Sequence, residues 1–119
     1  MYPIVPCPAP RMTRRDAWAR RPCVQRYFAF RDQVRLHGVT IPDRAWLVFV
    51  IPMPKSWSEK RRAEMDGKPH TVRPDADNLA KACGDAVFSE DSHIWDLRAT
   101  KIWGQSGAIW VGELTGEIE

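Results

Sequence analysis

One run of seven apolar residues, Ala45 to Ile51, constrains the fold more than any other segment. The run is rich in β-branched and aromatic residues, and Pro52 and Pro54 follow it directly. A short continuous apolar run of this kind is typical of a strand whose two faces are both buried. The sequence therefore predicts a central strand that other elements cover on both sides.

The segments around this strand predict two longer helices and a short one. Pro22 is placed to open a helix over roughly 22–37, and Gly38 is its expected terminator. Residues 77–88 have the spacing of an amphipathic helix. The polar stretch 55–73 is expected to hold a short charged helix within a long loop.

The remaining segments predict further strands. The proline-interrupted start, residues 2–8, fits an edge strand or an extended arm. Residues 94–103 and 108–114 are expected to be strands joined by the turn 104–107 as a β-hairpin. The predicted fold is α/β: a single small domain over residues 1–119, in the order β-α-β-α-β-β, with helices packed on a mixed sheet.

Composition excludes several classes of protein. A chain of 119 residues with 44% hydrophobic content can build one core. Its apolar runs are all far shorter than the roughly 20 residues of a membrane helix, and its start lacks the pattern of a secretion signal. The three cysteines and three histidines are too scattered for a disulfide framework or a zinc site. We expect a cytoplasmic protein with reduced thiols.

Positive charge is concentrated early in the chain. Eight arginines face two aspartates between Met1 and Arg35, although the net charge of the whole chain is only +3. Arginine presents planar donors suited to phosphate, and such contacts supply much of the sequence-independent affinity for nucleic acid. A solvated basic surface fits the charge excess equally well. The candidate DNA-binding residues are Arg11, Arg14, Arg15, Arg20, Arg21 and the cluster Lys60, Arg61 and Arg62.

The segment from Asp75 to Lys81 is the most informative for chemistry. Asp75 and Asp77 would point the same way on an extended backbone, and Lys81 lies one helical turn after Asp77. Two carboxylates can bind Mg²⁺, which keeps waters and contacts substrate phosphate, and the acidic pair 90–91 follows the helix. Taken alone, the spacing favours aspartates that cap the start of a helix, and the residues around it shift the balance to a metal site. The whole set indicates phosphodiester hydrolysis.

These residues resemble those of the RusA family of Holliday junction resolvases, and in particular those of a prophage-type member. The resemblance is carried by Asp75-x-Asp77-Asn78-x-x-Lys81, the helix after it, Glu90-Asp91 and Asp96-Leu97-Arg98. It covers most of the chain and is strongest from Arg73 to Lys101.

The resemblance implies a homodimeric endonuclease that depends on Mg²⁺, with Mn²⁺ as a plausible substitute. It implies binding of branched DNA, the four-way junction, and paired nicks. Asp75, Asp77 and Asp91 match the family's metal-binding carboxylates, and Lys81 matches its essential lysine. Some members carry a basic residue directly before the first aspartate, whereas here a proline stands there and Arg73 lies one step earlier. A phosphate contact by Arg73 is the corresponding expectation.

Several neighbouring residues have two interpretations. Glu90 competes with Asp91 as the third ligand, and Asn78 either orients Asp77 or helps to begin the helix. His93 is a proton shuttle or, more commonly for such a position, a strand-edge histidine. Lys81 either contacts phosphate or only pairs with Asp77 or Asp85. Trp18 and Trp57 are candidates for stacking on exposed bases, and the other tryptophans are assigned to the core or a dimer interface: Trp46, Trp95, Trp103 and Trp110.

Two other functions are also compatible with these sequence features. The first is a branched-DNA-binding protein without catalysis, and the second is a metal-dependent nuclease that prefers flaps or replication forks. A magnesium titration against a synthetic junction separates a nuclease from a binder, because only the nuclease nicks. Neither a membrane nor a small-molecule substrate is expected as a partner.

Overall fold

The fold is an α/β layer in which the helices cover one face of a mixed sheet. The computed structural model describes residues 1–10, 21–87 and 93–116, and these hold three helices and three strands in the order α-β-α-α-β-β. The elements are α1 (Pro22–Leu36), β1 (Arg44–Pro52), α2 (Glu59–Met65), α3 (Ala76–Val87), β2 (Asp96–Gly104) and β3 (Ala108–Glu113).

β1 is the central strand, as predicted, and the sheet order is β2-β1-β3. It pairs in parallel with β2, from Arg44 opposite Asp96, and in antiparallel with β3. The predicted hairpin is therefore wrong, because β2 and β3 lie on opposite sides of β1. The turn 105–107 instead carries the chain across the carboxyl end of β1. A sequence-local turn signal does not reveal which strand each arm will pair with.

Short segments flank both outer strands. Tyr2 forms a bridge with Ile109 of β3, with hydrogen bonds of 2.8 and 2.9 Å in the two directions. The predicted first strand is therefore reduced to an isolated bridge, since the prolines at 3, 6 and 8 have no N–H to donate. Gly107 lies so close to this arm that a Cβ there would be 2.7 Å from the Val5 Cα. The arm thus packs on the turn between β2 and β3.

α1 and α3 form the main core with one face of the sheet. Val24, Tyr27, Phe30 and Val34 are the buried residues of α1, whereas Phe28 is exposed. α3 buries small residues that allow close packing: Ala80, Ala82, Cys83, Gly84 and Ala86 beside Leu79. Burial raises the pKa of the Cys83 thiol to about 12, and all three cysteines are free. Within the described ranges, the structure has no helix long and apolar enough to cross a bilayer.

The second face of the sheet is open, so the expectation that β1 is buried on both faces is wrong. Ala45, Leu47 and Phe49 point into the core and are almost fully buried. The alternate residues of β1 point the other way, and Trp46 is 36% exposed. The apolar run predicts burial on both sides, but the helices among the described residues cover only one of them.

The segment before the candidate site is attached to the outer edge of β2. The Gly67 N–H donates to the Trp103 carbonyl, and the His70 N–H donates to the Lys101 carbonyl. The His70 side chain is buried, and its ring centroid lies 4.3 Å from that of Trp103. This attachment holds the chain in place shortly before it reaches Asp75.

Burial and the nearby Lys101 ammonium lower the pKa of His70 below its ordinary value of 6.5. The unfolded chain therefore binds more protons than the folded chain as the pH falls below that value, so the protein becomes less stable. We expect the free energy of unfolding to decrease between about pH 7 and pH 5. In urea denaturation, His70→Phe should flatten this decrease. His37→Phe, at an exposed histidine, should keep the slope of the parent, and an unchanged slope in His70→Phe would contradict the assignment.

Candidate active site

The start of α3 presents both aspartates of the sequence motif. The Asp75 carbonyl accepts a hydrogen bond from the Leu79 N–H at 3.1 Å, so Asp75 is the residue at which the helix begins. Asp77 lies in the first turn, and its Oδ1 accepts from the Asn78 N–H at 2.9 Å. The backbone between the two aspartates is thus helical. The condition under which the two carboxylates would be aligned, an extended backbone, is therefore not met.

Helix capping and ligand binding are compatible here. The amino end of a helix carries a partial positive charge, which stabilises ionised carboxylates and leaves them able to bind a cation. Both Asp75 and Asp77 are exposed. Among the described residues, the backbone N–H of Asn78 is the one group that donates a hydrogen bond to either carboxylate. Most of their oxygen lone pairs therefore face solvent.

The two aspartates line different cavities. Asp75 and Asn78, with Arg73 and Pro8, border an open cavity of about 520 Å³. Asp77 lines another cavity, of about 450 Å³, between α3 and the start of β2. The start of α3 therefore contributes a carboxylate to each cavity. Arg73 and Asp75 share the first of them, next to the proline-rich arm.

Lys81 follows Asp77 by one helical turn and is exposed on the same cavity. The structure forms no ion pair between Lys81 and either Asp77 or Asp85, all three of which belong to the described residues. The alternative that Lys81 serves only as the partner of one of these carboxylates is thus not supported. Its ammonium is available to an anion in the cavity.

Lys101 holds the segment that leads into the site, a role that the sequence reading missed. Its Nζ donates to the Val72 carbonyl at 2.8 Å and to the Pro74 carbonyl at 2.6 Å. Lys101 pairs with Phe49 in the sheet and so points to the helix side. A lysine at an inward position of a strand is the signal that could have identified it. The ammonium joins β2 to the residue directly before Asp75.

The third predicted metal ligand lies in a part of the chain that the structure does not describe. Asp91 and its competitor Glu90 lie outside the described residues. Among the residues that the structure does describe, no group of three or more His, Cys, Asp or Glu side chains could hold a metal ion. The three-carboxylate site stays a prediction, with two of its members at the start of α3.

The candidate DNA-binding residues are only partly described. Arg11, Arg14, Arg15 and Arg20 lie outside the described residues, as does Trp18. Arg21 is exposed just before α1. On α2, Lys60 and Arg61 are exposed, while Arg62 donates to the Pro54 carbonyl at 3.0 Å. α2 has no buried residue, and the Ser58 hydroxyl caps its amino end by accepting from the Arg61 N–H.

The tryptophans divide into packed and exposed groups. Trp57 and Trp103 pack together with ring centroids 4.8 Å apart, and the Arg61 guanidinium lies 4.2 Å from the Trp57 ring centroid. Trp57 is therefore already engaged rather than free to stack on a base. Trp103 is in the core as predicted. Three others are not core residues, because Trp46, Trp95 and Trp110 are 36%, 59% and 50% exposed.

His93 lies just before β2 and contacts an acid. Its Nδ1 is 2.6 Å from Oδ1 of Asp43, the residue that precedes β1. This pair joins the amino ends of the two parallel strands. The position fits the strand-edge interpretation of His93.

A comparison with family models identifies a match over most of the chain. The model described as Endodeoxyribonuclease RusA matches residues 3–112, nearly the whole chain. Searches of curated proteins and of solved structures find no match to this chain.

Replacing Lys101 should disturb the approach to Asp75. Lys101→Met keeps the aliphatic stem but removes both hydrogen bonds to the Val72 and Pro74 carbonyls. We expect the free energy of unfolding to fall by about 1–3 kcal/mol, as for loss of hydrogen bonds from a charged group. Lys55→Met, at an exposed lysine, is the matched control and should change stability little. Equal denaturation midpoints for Lys101→Met and the parent would show that these bonds do not stabilise the segment.

Proposed function

The chain belongs to the RusA endodeoxyribonuclease family, and from that premise we propose that it is a magnesium-dependent enzyme that resolves four-way DNA junctions by paired symmetric nicks. The family implies Holliday junction resolvase activity, hydrolysis of DNA strands at a branch. The observation that supports the proposal in this chain is the arrangement at the start of α3. Two exposed carboxylates and an available ammonium lie there within about two helical turns, on a segment that Lys101 ties to the sheet.

We assign Asp75, Asp77 and Asp91 as the metal ligands. Their donors are carboxylate oxygens, the type that Mg²⁺ prefers and Mn²⁺ accepts. Only Oδ1 of Asp77 accepts the Asn78 N–H, which leaves its second oxygen for an ion. A bound ion would supply an activated water for in-line attack and charge stabilisation at the leaving 3′ oxygen.

Lys81 is assigned to the scissile phosphate. A lysine is a compact point charge that can stabilise the negative charge developing on a phosphoryl oxygen in the transition state. Its position on the same cavity as Asp77 supports this role, as does the lack of an ion pair with Asp77 or Asp85. Lys81 would hold the phosphate while the carboxylates hold the cation beside it.

The basic residues are assigned to the arms of the junction. Lys60 and Arg61 project from α2, which buries no residue and is therefore free to lie along a phosphate backbone. Arg73 shares a cavity with Asp75 and would contact the phosphate next to the cut. The arginines at 11, 14, 15, 20 and 21 would add contacts that fix register without reading sequence.

We further propose that two copies pair through the open face of the sheet. Strands in parallel pairs normally have both faces covered, whereas the described residues 1–10, 21–87 and 93–116 cover one. Trp46, Val48, Ile102 and Trp110 line a groove of about 400 Å³ in the middle of that face. A second copy would supply the missing cover, and a twofold pair gives the two active sites that paired cuts require.

Asp77→Asn should separate binding from cleavage. The substitution preserves size while removing a charge from the ligand set. We expect cleavage of a labelled immobile junction in Mg²⁺ to fall by at least ~100-fold, since several kcal/mol of transition-state stabilisation are lost. Binding of the junction in a gel-shift assay should stay within about threefold of the parent, because phosphate contacts by basic residues supply most of the affinity.

Asp85→Asn is the matched control for this experiment. Asp85 is an exposed aspartate on the same helix, two turns beyond Asp77. The Asp85→Asn variant should cleave the junction at the rate of the parent. If Asp77→Asn nicks the junction as fast as Asp85→Asn, Asp77 is not part of the metal site. Religation of the parent's products tests whether the two nicks are symmetric.

Trp110→Glu should disrupt the dimer. Each copy would then bury an uncompensated carboxylate in the shared face, so the dimer dissociation constant should rise by roughly 100-fold or more. Sedimentation equilibrium measures this change. Leu36→Glu places the same charge on an exposed apolar residue at the end of α1, away from the face, and should leave the assembly unchanged. A parent that sediments as a monomer, or a Trp110→Glu dimer of parental affinity, would rule out the interface.

A further inference from the structure

The cavity beside Asp77 and Lys81 has an apolar wall that the proposed chemistry does not use. Ile94, Trp95 and Leu97 form this wall, opposite the two charged residues of α3. The cavity volume of about 450 Å³ lies within the range of small-ligand sites and exceeds what a single phosphate needs. We name this space the Trp95 cavity.

Trp95 has an exposed indole beside an arginine that is itself held by an ion pair. The side chain is 59% exposed, and Leu97 beside it is 49% exposed. The backbone N–H of Trp95 donates to the Asp43 carbonyl at 3.1 Å, which fixes the backbone that carries the ring. The Arg44 guanidinium lies 5.2 Å from the ring centroid and is itself bonded to the Asp96 carboxylate at 3.1 Å. An aromatic ring held in this way at the edge of a cavity offers a preformed stacking surface.

We propose that the Trp95 cavity receives a nucleobase unstacked at the branch point of the DNA substrate, with Trp95 as its stacking partner. The inference rests on the proposed function, because it takes Lys81 to hold the scissile phosphate. A nucleotide joins its phosphate to its base through one sugar, so a phosphate bound at Lys81 brings a base to the neighbouring wall. The charged and apolar parts of the cavity therefore match the two ends of one nucleotide.

The apolar wall of the cavity favours recognition of the branched structure of the DNA over recognition of its base sequence. Aromatic stacking accepts every base, since every base has a π-face. Unstacking is least unfavourable for a base that has already lost part of its pairing or stacking, as at a branch. The cavity would thus favour branched DNA over duplex DNA, whichever base enters.

The cavity is separate from the proposed dimer face. Leu97 pairs with Ala45 in the sheet register, and Ala45 points into the core, so Leu97 points to the helix side. Trp46 and Trp110 point to the opposite side. A second copy on the open face therefore leaves the Trp95 cavity accessible to DNA.

A photocrosslinking experiment tests the inference directly. Immobile junctions carry 5-iododeoxyuridine either at the branch point or in the middle of one arm, and the full chain is bound without divalent cation so that no strand is cut. Irradiation should crosslink the branch-point junction to Trp95, identified by mass spectrometry of the labelled peptide. The mid-arm label should give no Trp95 adduct.

Two variants at one position supply the matched comparison. Trp95→Ala should lose the crosslink and weaken junction binding by roughly tenfold, the order expected for one lost base–aromatic stack. Trp95→Phe retains a ring and should bind within about threefold of the parent. All three proteins should bind duplex DNA equally. Circular dichroism confirms that each is folded.

The possible failures are distinguishable. If the parent cuts the junction but Trp95→Ala binds it with parental affinity, or the adduct maps to another residue, the inference is overturned and the proposed function stands. If the parent neither binds nor cuts the junction, the proposed function fails and the inference fails with it.

Discussion

Parallel pairing of β1 with β2 is the constraint from which the rest of the structure follows. Two parallel neighbours cannot be joined by a tight turn, so the chain must leave the sheet and return. The excursion holds α2, the Asp75 segment and α3, which packs with α1 on one face. One connection thus places the candidate site beside the sheet and leaves the opposite face open. That open face, with Trp46 and Trp110 exposed, is the surface that we assign to a second copy.

Local sequence patterns predicted the helices and strands well, but they predicted poorly which strands pair with each other. The apolar run of β1, the proline and glycine that bound α1, and the amphipathic spacing of α3 are properties of consecutive residues, so the sequence reveals them. Which strand β3 joins depends on residues far away in the chain, and the hairpin expectation was therefore wrong. The expected burial of both faces of β1 was wrong for a related reason: its apolar side chains favour burial on both faces, but the part of the chain that the structure describes covers only one.

The candidate site shows the same division. The types and spacing of Asp75, Asp77 and Lys81 can be read from the sequence, and the structure places the two aspartates at a helix start rather than on an extended backbone. Lys101 was missed because its partners, the Val72 and Pro74 carbonyls, lie 29 and 27 residues earlier in the chain. Trp95 was assigned to the core or a dimer interface from its strand-like surroundings, and the core alternative is wrong because the residue lies exposed beside the site.

The central claim is that a third carboxylate, Asp91, binds the same cation as Asp75 and Asp77. Electron paramagnetic resonance of Mn²⁺ in a titration of the protein measures this most directly, without DNA and without turnover. The account predicts that Asp91→Asn weakens Mn²⁺ binding by more than about tenfold, while the neighbouring Glu90→Gln binds as the parent does. Parental Mn²⁺ affinity in Asp91→Asn would contradict it.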